Sequence, residues 1–361
     1  MKRHLCIGTY TEEILFGTGE LFRGKGRGLL IGTFQDGTIE ITASAKTLNP
    51  SYVCVNERDR KIYTVNEAKE FAGEWGGGVS QFSYEFAEGG GEIVCGEASF
   101  CVGGTDPCHI VLAPDKKALI VSNFASGSIS LFPIKADGTI GGGKKVFTHQ
   151  GKGPDPVRQK GPHAHSGIFS PDGRMLYVPD LGIDRVKAYA YQDGEILPAP
   201  ERDVVLEAGS GPRFGEFSGD GKHFYLISEL ASQVVHFTCE KQELVRRETV
   251  STLPENFDGY NICSDLHLTP DGRHLYASNR GHDSLACYRV EADGSLRLEQ
   301  IISSGGKTPR NFCISPDGAF LLAGNQDSDN IALFAIQPDG CLKPRGEVGL
   351  GTPVCIKFFD G

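Results

Sequence analysis

Residues 165–180 read HSGIFSPDGRMLYVPD: a short alternating apolar run, a Pro-Asp-Gly turn, then a second alternating run. Apolar side chains at every second position bury one face of an extended strand, and Asp-Gly supplies the tight reversal of a β-hairpin. The pattern recurs as RFGEFSGDGKHFYLISE from Arg213, SDLHLTPDGRHLYASNR from Ser264 and RNFCISPDGAFLLAGNQ from Arg310. Two weaker copies are HIVLAPDKKALIVSN from His109 and YVCVNERDRKIYTVNE from Tyr52.

The turn aspartates are Asp59, Asp115, Asp172, Asp220, Asp271 and Asp317, so the repeat is about 50 residues long. A third strand is expected after each hairpin, as at 128–133, 185–191, 233–238, 284–290 and 330–336. A fourth is expected at segments such as 203–207 and 298–303. Four strands per unit of that length describe a propeller blade. The termini supply a seventh unit. Residues 353–358 resemble a first strand with no hairpin after it. Residues 5–9, 28–34 and 38–43 resemble later strands with no first strand before them. Joining the two ends would close the ring and remove its open sheet edges. The expected fold is therefore all-β: one seven-bladed β-propeller domain over residues 1–361. Gly73–Gly78 and Gly151–Gly161 read as long loops, and Gly24-Lys25-Gly26-Arg27-Gly28 as a glycine-rich hairpin without the spacing of a phosphate loop.

Composition agrees. Of 361 residues, 48 are Gly, which favours many tight turns over long helices. The formal net charge of -10 disfavours nucleic acid as a partner. No apolar run long enough to span a membrane occurs. No signal peptide is apparent at Met1–Thr9. The 11 cysteines contain no Cys-x-x-Cys pair and sit in strand-like contexts, which suggests reduced thiols and a cytoplasmic setting.

Neighbouring strands of a blade run antiparallel, so first-strand starts and second-strand ends share one face of the ring. The starts carry Cys108, His165, Arg213, Ser264 and Arg310. The ends carry Glu67, Phe124, Leu181, Glu229, Arg280 and Gln326, preceded by Asn66, Asn123, Asp180, Ser228, Asn279 and Asn325. Guanidinium groups directed into one channel repel one another unless carboxylates or a bound anion offset them. The expected site is thus His165, Arg213, Glu229 and Arg280 in catalytic roles. Arg310, Glu67, Asn66, Asn279, Asn325, Asp180 and His163 would contact substrate, although Asn at a strand end also serves as a turn former. His163 and His165 share a strand face, but no third ligand stands at an equivalent blade position. Neither metal nor cofactor is expected.

These segments, with the opening IGTYTE and YTVNEAKEF…GGGVSQF, resemble the lactonase family of seven-bladed propellers along essentially the whole chain. That family includes propeller-type 6-phosphogluconolactonases and the fungal-type 3-carboxy-cis,cis-muconate lactonising enzymes. In the latter a His, two Arg and a Glu have been proposed as a metal-free site. By motif, His165, Arg213 in Gly-Pro-Arg, Glu229 in Ser-Glu-Leu and Arg280 in Ser-Asn-Arg match them. Phe214 and Ser228 depart from the His and Asn usual at those places. The resemblance implies hydrolysis of 6-phospho-D-glucono-1,5-lactone, a small anionic sugar lactone. The alternatives are a muconate-type cycloisomerase and a non-catalytic binding scaffold, which would show no convergent Arg/His/Glu group.

Overall fold

Each Asp-Gly turn is built the same way. Asp172 Oδ1 accepts from the amide of Arg174 at 3.1 Å and from Ser170 Oγ at 2.6 Å, and Asp220, Asp271 and Asp317 repeat both bonds. Gly173 between them has φ 69°, a left-handed conformation that glycine adopts without Cβ strain.

In the computed structural model, which describes residues 2–16, 19–87, 90–240 and 243–360, these hairpins seed a ring of seven sheets. Blade 1 joins the two ends of the chain. Pro353–Phe359 is its inner strand and pairs antiparallel with Arg3–Thr9, Ile7 facing Ile356; Leu29–Gln35 and Thr38–Ala45 complete it. Blade 2 begins at Val53–Asn56, blade 3 at Pro107–Leu112, blade 4 at Ile168–Phe169, blade 5 at Pro212–Phe217, blade 6 at Ile262–Leu268 and blade 7 at Pro309–Ile314. The expected closure by terminal strand pairing is what forms.

Two local expectations differ. The fourth strand of blade 4 is Glu195–Pro198, and the 203–207 segment contributes only Val204–Val205, paired to Arg185 and Val186. The 24–28 segment is not a hairpin turn. The hairpin there is Glu13–Leu15 with Leu21–Arg23, and Gly24 and Gly26 return alongside it, donating to Glu12 O and Tyr10 O. A Cβ on Gly26 would meet Thr9 Oγ1 at 2.2 Å, so close backbone approach accounts for this glycine.

The core lies between blades. Leu5, Ile7 and Leu30 of blade 1 pack on Leu322, Ile331 and Leu333 of blade 7, and Tyr225 and Ile227 of blade 5 pack on Leu266, Leu275 and Tyr288 of blade 6. Second-strand tyrosines span the same seams: Tyr63, Tyr225 and Tyr276 donate to the carbonyls of Gly138, Gly294 and Gly340 in the next blade. A buried hydroxyl thus finds its partner while its ring fills the interface. Among the described residues no helix is long and apolar enough to cross a membrane. The ten described cysteines are all unpaired.

Candidate functional site

At the face opposite the Asp-Gly turns, the channel widens into a cavity of about 280 Å³. Its walls are first-strand starts and second-strand ends. His165 and Arg310 supply the former; Glu67, Phe124, Glu229, Arg280 and Gln326 supply the latter. Blade symmetry delivers them, because one register position recurs around the ring.

Glu229 is the centre of charge. Arg158 Nη2 donates to Oε1 at 2.5 Å, Arg280 Nη2 donates to Oε2 at 2.7 Å, and Arg213 Nε stands 3.0 Å from Oε2. Burial opposes a carboxylate here, but Arg280, Arg158 and Arg213 outweigh it and hold Glu229 well below the usual carboxylate range. Burial also lowers Arg280 to about 10, against the pull of Glu229. Arg213 is pinned further by donating to Ser264 O, and Arg280 by donating to Cys263 O at 2.8 Å. One N–H group, Arg280 Nε, is buried without a hydrogen-bond partner among the described residues, whereas Arg213 Nε is ion-paired with the Glu229 carboxylate. An unmet buried donor costs about 1–3 kcal/mol, so Arg280 Nε marks a place for an acceptor.

A second unit faces it. Tyr10 Oη donates to Glu67 Oε2 at 2.8 Å, and Arg310 Nη2 stands 3.8 Å from Oε1. The Arg310 guanidinium lies 5.3 Å from the Tyr10 ring centroid and 5.6 Å from that of Phe16, which fixes its plane. Phe16 and Phe22, from the hairpin inserted after the first blade-1 strand, form an apolar wall of the mouth.

His165 is buried, and burial first, then Arg213, pushes its pKa well below 6.5. It is neutral at pH 7. Its Nδ1 lies 3.8 Å from Cys108 Sγ, and its ring meets Phe124 edge-on at 5.5 Å. Burial raises the Cys108 thiol, so Cys108 is no thiolate nucleophile.

Five expected substrate contacts do not line this cavity, four of them for one shared reason. Asn66 donates to Thr47 Oγ1 and Leu48 O, Asn279 to Thr252 O, and Asn325 to Ser304 O. Each acceptor belongs to the linker arriving from the preceding blade. Asp180 does the same work in blade 4, accepting from His149 Nδ1 at 2.6 Å and from the His163 amide at 2.6 Å. These buried groups lash blade to blade and do not line the cavity. His163 stacks on Phe124 at 4.5 Å and gives its Nδ1–H to Phe124 O, which spends its ring as well. Among the described residues no three His, Cys, Asp or Glu gather as a metal-binding group.

Three contributors lie outside the repeat. Arg158 comes from the 149–164 loop, and Tyr10 and Phe16 come from the inserted segment. The only signal for Arg158 was the length of its loop, since long loops on propellers carry function.

A seven-bladed ring with buried guanidiniums converging at one mouth defines a propeller with a cationic cavity at one end of its channel. The chain matches the family "Lactonase, 7-bladed beta-propeller" over residues 4–358. It is 30% identical to the 6-phosphogluconolactonase of Bacillus subtilis over 309 residues, covering 85% of this chain and 83% of that protein. Among solved structures, the periplasmic gluconolactonase of Pseudomonas aeruginosa superposes with a TM-score of 0.89 at 32% identity, covering 100% and 99% of the two chains. A protein from Lactobacillus plantarum superposes at 0.87 and 29% identity over the full length of both. The chain belongs to the seven-bladed β-propeller lactonase family.

Proposed function

We propose that this protein is a cytoplasmic lactonase that hydrolyses 6-phospho-D-glucono-1,5-lactone to 6-phosphogluconate without a metal. The observation that carries the reading is charge. Three guanidiniums surround the single carboxylate of Glu229, so two positive charges remain uncompensated at that end of the cavity. Asp106 is matched by Lys69 at 2.5 Å, and Asp327 and Glu20 stand at the solvent-exposed rim. A phosphate dianion restores the balance, and a neutral sugar lactone does not.

Neutral His165 is the general base that takes a proton from the attacking water. Glu229, held ionised by three arginines, is too weak a base for this and serves as the counter-charge that positions them. The unmet Nε–H of Arg280, with the positive charge of Arg213 beside it, receives the oxyanion formed when water adds to the lactone carbonyl. Arg158 and Arg310 hold the phosphate. Collapse of the tetrahedral intermediate breaks the ring C–O bond, and His165 returns its proton to the departing hydroxyl. The convergence of these groups weighs against a non-catalytic scaffold.

The deciding experiment assays freshly made 6-phosphogluconolactone in a coupled reaction, beside unphosphorylated gluconolactone and 3-carboxymuconate. The reading requires kcat/KM for the phosphorylated lactone to exceed that for gluconolactone by about 100-fold or more. Equal values for both lactones, or turnover of the muconate alone, would refute it.

A further inference from the structure

The channel has a second mouth, at the face of the Asp-Gly turns, with different chemistry. Two cavities of about 780 and 490 Å³ adjoin there and share walls formed by Glu216, Phe217, Lys357 and Phe358. Between this mouth and the Glu229 cavity lies a pocket of about 20 Å³ beside Arg213, His109 and Asp265, room for about one water.

Two acids of the second mouth, Glu216 and Asp265, are held by His267, and a third, Glu57, is exposed at the edge of the smaller cavity and accepts from the Asp360 amide at 2.9 Å. His267 gives one ring nitrogen to Glu216 at 2.8 Å and the other to Asp265 at 3.1 Å, and Asp265 also accepts from Asn311 Nδ2 at 2.5 Å. Lys357 is not matched in this way. Its ammonium donates to Tyr52 Oη at 3.1 Å, and it forms no ion pair among the described residues. Because Tyr52 Oη accepts that bond, its own proton remains to be given, and no acceptor for it occurs among the described residues. His109 adds a third donor. Its Nδ1 accepts from the Gly167 amide at 3.3 Å, which leaves the proton of the neutral ring on Nε2, also without a partner there. The Tyr52 and His109 rings lie 4.3 Å apart, and Lys357, Tyr52 and His109 all line the 490 Å³ cavity. The facing walls are the rings of Phe169, Phe214 and Phe217.

The geometry points to a second ligand site at this mouth, for a small organic monocarboxylate with a flat apolar body. One ammonium without an ion-pair partner and two neutral donors suit a single carboxylate, and the phenyl walls suit a ring. A dianion would meet the nearby carboxylates of Glu216 and Asp265. The site does not depend on the activity assigned to the other mouth.

The test is titration of the full chain with benzoate at pH 7, followed by saturation-transfer NMR and calorimetry. Saturable one-to-one binding is expected, with benzyl alcohol about 10-fold weaker or more. Lys357→Met should weaken benzoate by about 10-fold or more, and Tyr52→Phe, which removes one hydroxyl, by about 3-fold or more. Arg280→Ala, at the opposite mouth, should leave it unchanged. Circular dichroism checks that each variant folds, and Tyr52→Phe decides alone if Lys357→Met does not. No saturable binding below about 10 mM, unchanged affinity in Tyr52→Phe, or loss of binding in Arg280→Ala would each overturn the site.

Discussion

Arg158 and Glu229 meet at 2.5 Å although they come from different parts of the ring, one from the long loop before blade 4 and the other from the end of the second strand of blade 5. The contact spans 71 residues of sequence and closes one side of the cavity. Arg158→Ala should therefore cut kcat/KM by about 10-fold or more, chiefly through KM, because a phosphate contact is lost. Thermal stability should change little, since Glu229 keeps Arg213 and Arg280. Arg174, exposed in a turn at the far face, is the control: Arg174→Ala should alter neither kcat nor KM.

Replacing the carboxylate is a different matter. Glu229→Gln leaves three buried guanidiniums without a counter-charge, and breaking one side of a buried ionic cluster costs on the order of 3–5 kcal/mol. The melting temperature should fall by several degrees, and millimolar phosphate should recover more of it in Glu229→Gln than in the native protein. Equal recovery in both would mean that Glu229 does not neutralise the anion-binding groups.

Much of this was readable from the chain, and the limits have a physical cause. The hairpins at Asp172, Asp220, Asp271 and Asp317 announce themselves because turn chemistry is local, and their spacing carries the blade count. The same register placed Glu67, Glu229, Arg280 and Arg310 at one mouth. Register does not tell where a side chain spends its hydrogen bonds. Asn66, Asn279 and Asn325 occupy equivalent positions, yet their amides hold incoming linkers, and the linker atoms they bind have no sequence pattern. Arg158, Tyr10 and Phe16 sit on insertions that break the repeat, so no periodicity could point to them. The 203–207 segment misled because an apolar pair next to an acid looks like a strand, while Glu195–Pro198 follows more directly on the third strand.

The proposed metal-independence has a simple check. Among the described residues no three ligands converge, and His163 is held by Phe124. Incubation with EDTA should leave kcat within about 2-fold of its starting value. Inactivation reversed by a divalent cation would show that ligands are recruited by rearrangement.

Stability against pH should report the second mouth. Burial disfavours the His267 imidazolium, but Asp265 and Glu216 outweigh it and raise His267 to about 9, while His267 lowers Asp265 to about 2 despite burial. A raised histidine stabilises the fold fully below its unfolded value near 6.5, and the contribution fades as pH climbs through about 9. A lowered aspartate stabilises above its unfolded value near 3.9, and that contribution is lost as pH falls through about 2. The pair should therefore contribute most between about pH 4 and 6.5. The melting temperature of the native protein should decline from pH 6.5 to 9, and His267→Gln, lower throughout, should decline less over that interval.

The last expectation separates the two carboxyl-rich units from the base. As the proposed base, His165 acts only when neutral, and burial with Arg213 holds its pKa well below 6.5. A base is active above its pKa, so the acid limb of kcat/KM should lie below pH 6.5, with a plateau through neutrality. His165→Ala should lower kcat by about 100-fold or more while KM moves less than 3-fold, because the residue transfers a proton and carries no charge for the phosphate. The acid limb should also vanish in that variant. Glu229 sets the competing outcome: its carboxyl is held well below the usual carboxylate range, so an acid limb retained in His165→Ala would assign the base to Glu229 and leave His165 a wall of the cavity.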